Sequence, residues 1–284
     1  MKLVIHAGLH KTATSSFQSN ITKINNLLID EGIYYPTFEQ VDGRFAANHF
    51  PIIRDLYEDK LNYLDAILSY ASSKRDKVRL VLLSGEDFEN LLIDHYIYEK
   101  IVRICEKHRV SQIETIFVYR DQFEYLLSIY STMSKHSAHV SLKDMGEVAI
   151  RKGYYTYQYP NFDAHYVFDY FHFFEKISKS FSDIDNIFSF VPMEDHVSGY
   201  AGKYILSRCG ASAKLHSLAA SEVGDGEPEN VRSSQRDTEE RYIQNYFSDS
   251  TLKNDKLTDA RQKSFELAAK DLKGRFESRF NTYG

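Results

Sequence analysis

Two cysteines are all that the chain contains, Cys105 and Cys209, widely separated and without the close spacing of a metal cluster or a disulfide framework. They read as reduced thiols within helices, the pattern of a reducing compartment. No apolar run approaches the roughly twenty residues of a membrane span, and no basic segment with an apolar stretch behind it precedes the first strand. The expectation is a cytoplasmic protein without a membrane span. Positive charge is also short: 35 Lys and Arg face 40 Asp and Glu, a net charge of −5. General binding to nucleic acid or to an anionic membrane is disfavoured on that balance. There is no Gly-x-Ser-x-Gly elbow to support a hydrolase triad. His136 and His139 have no identifiable third ligand nearby, so no metal is expected.

What is present suffices for one substantial core. With 284 residues, 43% of them hydrophobic, the chain is read as a single domain over 1–284. Apolar runs at Lys2–Ala7, Val78–Ser84, Ile113–Tyr119 and Asn186–Val191 predict strands. Helical spacing predicts helices from about Ser15, over Glu89–His108, from Gln122, over Gly199–Cys209 and over Leu257–Phe280. This alternation argues for an α/β fold, a central mostly parallel sheet flanked by helices. A helical insertion is predicted at about 46–74. A loop-rich segment is predicted at about 217–234, poor in large apolar residues, with Asn230 and Arg232 as late anion contacts.

The densest chemical signal lies at the start. The strand Lys2–Ala7 runs into Gly8, then into Lys11, Thr12, Ala13, Thr14, Ser15 and Ser16, where a helix opens. Glycine permits a sharp turn, a helix start offers free N–H groups, and one lysine with several hydroxyls completes a cradle for phosphate. The plain alternative is an ordinary strand-to-helix turn with a solvated lysine. A nucleotide P-loop would carry a second glycine just before the lysine, but Leu9 and His10 stand there. A second element follows the strand Ile113–Tyr119: Arg120 at its end and Ser128 eight residues on. A guanidinium fork and a hydroxyl suit a second phosphate; a strand-end arginine paired with Asp121 or Glu124 is the plain alternative.

Lys11-Thr12-Ala13-Thr14-Ser15 resembles the phosphosulfate-binding loop of the sulfotransferase family, Lys-Ser/Thr-Gly-Thr-Thr/Ser, with Ala13 in place of the glycine. Arg120 and Ser128 resemble that family's 3′-phosphate clamp. The resemblance implies a P-loop-type three-layer sandwich and 3′-phosphoadenosine 5′-phosphosulfate as co-substrate, held by Gly8, Lys11, Thr12, Ala13, Thr14, Ser15, Ser16, Arg120 and Ser128. It implies sulfuryl transfer to an acceptor hydroxyl, on a saccharide or glycolipid of the bacterial carbohydrate-type branch. Glu86, in Ser84-Gly85-Glu86-Asp87-Phe88, is the implied base beside Lys11; read from the residues alone it is a helix-start carboxylate. His10, Asp87 and His49 are rivals for the proton. The tyrosine-rich segment Tyr154–Phe174 is either helix core with tyrosines at a wet rim or a stacking surface for a sugar or phenol. A P-loop nucleotide kinase and a non-catalytic nucleotide- or glycan-binding protein are the alternative functions.

Overall fold

The computed structural model describes residues 1–39, 45–135, 140–159, 162–181, 185–223 and 255–280. Asn230, Arg232, His136 and His139 lie outside them. The chain divides into two compact units. The first takes Met1–Arg120, Tyr157–His165 and His172–Glu229; the second takes Asp121–Thr156, Tyr166–Phe171 and Asn230–Gly284.

The first unit is built on a five-stranded sheet. Its strands are β1 (Lys2–Gly8), β2 (Ile33–Tyr34), β3 (Leu80–Ser84), β4 (Gln112–Tyr119) and β5 (Asn186–Pro192), in the order β2-β3-β1-β4-β5. Every pairing in this sheet is parallel. A parallel sheet must be covered on both faces, and its strands are therefore apolar without alternation. β3, Leu-Val-Leu-Leu-Ser, is buried at every residue. Val4, Leu82, Ile116 and Val191 face one way and pack with Phe17 and Ile21 of helix α1 (Thr14–Lys23) and with Ile205 and Leu206 of the helix Lys203–Arg208. Full burial of side chains such as Phe17 and Ile21 stabilises by about 1.5–3 kcal/mol each. Leu3, Ile5 and Ala7, pointing to the opposite face, are also fully buried. On that side Tyr98, from the helix His95–Lys107, packs on Phe188 and donates a 3.0 Å hydrogen bond to Asn186 Oδ1. The α/β architecture with a central parallel sheet between helices is thus the one the alternation predicts.

β1 lies in the middle, with β3 on one side and β4 on the other. The chain fills one side of β1 first and crosses to the other afterwards, so the sheet has its switch point at the carboxyl end of β1, where folds of this kind bind ligands. The registers His6 to Ser84 and Gly8 to Val118 bring the ends of β1, β3 and β4 level there.

In the second unit, helices Gln122–Lys135, Leu142–Lys152 and Asp255–Phe280 supply most of the described residues. Ser141 caps the second of them, its hydroxyl accepting from the Asp144 N–H at 3.0 Å. Phe276 packs against Phe123 and Phe168. Gly146 is required by contact: a Cβ there would stand 2.5 Å from Leu272 Cδ2. On the last helix Arg275 pairs with Glu147 and Arg279 with Asp169.

Three elements differ from expectation and one agrees with it. The single helix predicted over Glu89–His108 is two pieces, a 3-10 helix Glu86–Leu92 and an α-helix His95–Lys107. The loop predicted from 217 begins later, because 217–223 complete the helix Ala213–Val223, which buries Leu215 and Ala219; the remainder, 224–234, is outside the described residues. The insertion at 46–74 is helical, as Phe50–Tyr57 and Asn62–Ser73. Tyr154–Phe174 is no continuous helix; it forms strands Tyr154–Gln158 and Asp163–Val167 before a helix starts at Tyr170. Among the described residues no helix is long and apolar enough to cross a membrane.

Candidate anion site at the carboxyl end of the sheet

The segment after β1 folds as a tight loop because several of its own groups brace it. The Leu9 N–H donates to the Val118 carbonyl at 3.1 Å, tying the loop to β4. The Thr12 hydroxyl donates to the Leu9 carbonyl at 2.5 Å and is wholly buried, so this side chain, expected to face a ligand, braces the loop instead. Gly8 is needed for space: a Cβ on it would lie 2.2 Å from Thr14 Oγ1 and 3.2 Å from His6 Nε2. Lys11 and Ala13 both adopt left-handed backbone, with φ of 66° and 62°. Ala13 is the N-cap of α1 and no side chain caps that helix, which leaves the start of α1 with first-turn amides for a ligand. Ser15 is exposed and Ser16 half-buried beside them. Thr14 is buried, and its Oγ1 has no hydrogen-bond partner among the described residues.

Arg120, at the end of β4, reaches this loop: its Nη1 donates to the Lys11 carbonyl at 3.3 Å. The two sequence elements, 109 positions apart, therefore meet at one edge of one sheet. Ser128 sits two turns into the helix Gln122–Lys135, half-buried, in the second unit.

Three carboxylates from the turn after β3 close the other side. His10 Nδ1 lies 3.1 Å from Glu86 Oε2, its backbone N–H donates to Glu89 Oε2 at 3.1 Å, and its Nε2 is 3.9 Å from Asp87 Oδ1. The Lys11 backbone N–H also hydrogen-bonds Glu86. Burial alone would depress the His10 imidazole, but the hydrogen bond and charge of Glu86, with Glu89 and Asp87 behind it, outweigh burial and raise it to about 9. The reciprocal effect holds Glu86 below its usual range: burial opposes ionisation, and the hydrogen bond from His10, its charge and that of Lys11 overcome it. Asp87 moves the other way, raised mainly by burial, with Glu86 adding to the rise and His10 and Arg54 opposing it. At neutral pH the site thus holds an imidazolium–carboxylate pair, His10 with Glu86.

Two other histidines are structural. His49 is fully buried; the Ser84 N–H donates to its Nδ1 at 2.9 Å, which leaves Nε2 to donate to the Pro36 carbonyl at 2.8 Å. Burial lowers it to about 4, and both nitrogens are occupied, so it is no candidate for taking an acceptor proton. His6 is bonded through Nδ1 to Ser84 Oγ at 2.9 Å and stacks on His196 at 4.9 Å, under the loop. Glu89, Arg54 and His196 were not anticipated. The run Glu86-Asp87-x-Glu89 carries a signal for the first only in that it concentrates acid at a strand end; the other two come from distant segments. Among the described residues no group of three or more His, Cys, Asp or Glu is placed to hold a metal ion. Both cysteines are buried free thiols, pushed up to about 12 by burial.

Compared with family models, with curated proteins and with solved structures, the chain finds no match.

Proposed function

We propose that the loop from Gly8 to Ser16 and Arg120 hold the two phosphate ends of 3′-phosphoadenosine 5′-phosphosulfate, and that the chain transfers the sulfuryl group to an acceptor hydroxyl. One observation carries this reading: Arg120 reaches the Lys11 carbonyl at the sheet's switch point. A ligand with a single phosphate cluster would engage the lysine loop and leave the arginine at the end of β4 without a task. An adenosine phosphorylated at both ends uses both. Two of the loop amides, those of His10 and Lys11, are already bonded to carboxylates. The donor's phosphosulfate is therefore assigned to the Lys11 side chain, the hydroxyls of Ser15 and Ser16 and the opening amides of α1.

In the proposed reaction the acceptor oxygen forms a bond to sulfur as the bond from sulfur to the bridging phosphate oxygen breaks. Charge gathers on that leaving oxygen, and Lys11 with the helix-start amides meets it with groups already in position. The acceptor proton goes to a carboxylate. Glu86, the residue implied by the resemblance, is a weak base here because His10 keeps it ionised at low pH. Asp87, with its raised pKa beside His10, is the better-matched acceptor of a proton, and Glu86 with His10 fixes the loop.

Calorimetry with adenosine 3′,5′-bisphosphate against ATP tests the donor. Tighter binding of the bisphosphate is expected; a preference for ATP overturns the reading. Lys11→Ala and Asp87→Asn should abolish turnover, and a protein that binds donor without transferring sulfate to any hydroxyl would be a sensor.

A further inference from the structure

On the first unit, the helix Phe50–Tyr57 with Tyr157, Tyr159 and Phe162 forms a partly exposed shelf that the donor site does not use. Arg54 is exposed, and its guanidinium lies 4.5 Å from the ring centre of Phe50 and 5.1 Å from that of Phe162. No carboxylate makes an ion pair with it among the described residues. Phe162 in turn stacks on Tyr159, rings 5.1 Å apart and 6° from parallel, and Tyr157 meets Tyr159 edge-on at 4.8 Å. Tyr159 is 42% exposed.

The shelf is rigid by construction. Asn90 donates to Tyr57 Oη at 2.9 Å and to the Asp163 carbonyl at 2.7 Å, and it accepts from the His165 N–H at 2.9 Å, which locks the helix to the strand that follows Phe162. Tyr57 also donates to Asp94, which His165 Nε2 approaches at 3.0 Å. Arg54 adds a link to the donor site, for its charge is felt at Asp87.

We propose that this shelf binds an acidic saccharide as the acceptor, a sugar ring against the exposed Tyr159 and its carboxylate or sulfate on Arg54. Arg54 rests its guanidinium on two aromatic rings while the residue stays exposed, and a planar guanidinium carries the paired donors that suit a two-oxygen anion. The apolar faces of pyranose rings stack on aromatic rings, and a surface fixed in advance loses little entropy on binding. One arginine next to Asp87 is too little charge for a membrane surface, which recruits several lysines or arginines.

The role as acceptor rests on the transferase reading; the binding does not, and the experiment keeps them apart. Titration calorimetry is run with three hexasaccharides bearing glucuronate, iduronate or galacturonate, and with their methyl esters. At least one acid should bind, its ester roughly tenfold more weakly. Arg54→Gln should lower affinity for the acid about tenfold and leave the ester unchanged. Tyr159→Ala should weaken acid and ester alike. All variants should bind adenosine 3′,5′-bisphosphate as the wild type does, which reports an intact fold. The proposal is overturned if no uronate binds, if acid and ester bind equally, or if Arg54→Gln has no effect. If the wild type binds a uronate but not the bisphosphate, the transferase reading fails and the saccharide shelf stands.

Discussion

Arg120 Nη1 donates a 3.3 Å hydrogen bond to the carbonyl oxygen of Lys11. That contact makes Arg120 a brace for the loop, and the proposed function gives it a second role as a clamp for an anion; the two roles separate by choice of nucleotide. If Arg120 grips a 3′-phosphate, Arg120→Ala should weaken adenosine 3′,5′-bisphosphate by about 1.5–3 kcal/mol, the scale of a charged hydrogen bond, and adenosine 5′-monophosphate much less. Arg120→Lys should recover only part of the loss, because a point charge lacks the fork. Equal losses for both nucleotides would mean that Arg120 acts only through Lys11.

Ala13 takes a conformation, φ 62° and ψ 21°, that a β-carbon resists. For an L-residue with a side chain this costs roughly 1–2 kcal/mol, and glycine would remove the strain at an entropic cost of about 0.5–1 kcal/mol. Ala13→Gly is therefore expected to be neutral or stabilising by up to about 1 kcal/mol, and Ala13→Val to lose about 2 kcal/mol, since branching at Cβ makes positive φ worse. Urea denaturation of the two variants checks this. A marked loss in Ala13→Gly would show that the methyl group's packing outweighs the backbone strain.

Much of the sheet is legible because buried parallel strands carry apolar runs, as in Leu80–Leu83 and Ile116–Val118. β2, only Ile33–Tyr34, is too short to leave a pattern. The tyrosines of 154–159 hide strand periodicity, because tyrosine is at home on either face. At the site, Gly8, Lys11 and Arg120 could be picked out from residue type and from their place at strand ends. The pairing of His10 with Glu86 could not, since it depends on β1 and β3 being adjacent with His6 level with Ser84. The inward turn of the Thr12 hydroxyl is equally invisible, for a hydroxyl in a loop faces ligand and backbone with the same sequence. Arg54 joins the aromatic shelf only because Asn90 pins two remote segments together.

The His10–Glu86 pair fixes a pH window. The folded imidazole is raised from 6.5 to about 9, so its contribution is complete below about pH 6.5 and is lost as pH rises through 9. The Glu86 carboxyl is lowered from 4.5, so its contribution is present above pH 4.5 and is lost as pH falls through the folded value. Between these limits the pair stabilises the loop. His10→Gln is expected to cost roughly 1–3 kcal/mol near pH 6.5 and progressively less toward pH 9.5, by denaturant titration at each pH. A cost that does not change with pH would rule out the imidazolium.

His6 and His196 behave in the opposite sense. They stack beneath the loop with Phe17 against both, and His196 offers neither ring nitrogen a hydrogen-bond partner among the described residues. Burial lowers His196 to about 4; burial and then the neighbouring His196 lower His6 well below 6.5. Each is neutral in the fold and takes up its proton on unfolding, so stability should be full above about pH 6.5 and fall as pH drops from there toward 4, by up to about 1.4 kcal/mol per pH unit for each ring. His196→Phe keeps an aromatic ring on His6 and Phe17 and removes two unpartnered polar atoms, so at pH 7 it should equal or exceed the wild type by about 1 kcal/mol. Its slope between pH 6.5 and 4.5 should be shallower, because one proton site is gone and His6 is relieved of its neighbour's charge. An unchanged slope would place the acid sensitivity elsewhere, and a large loss at pH 7 would mean that the His196 nitrogens have partners after all.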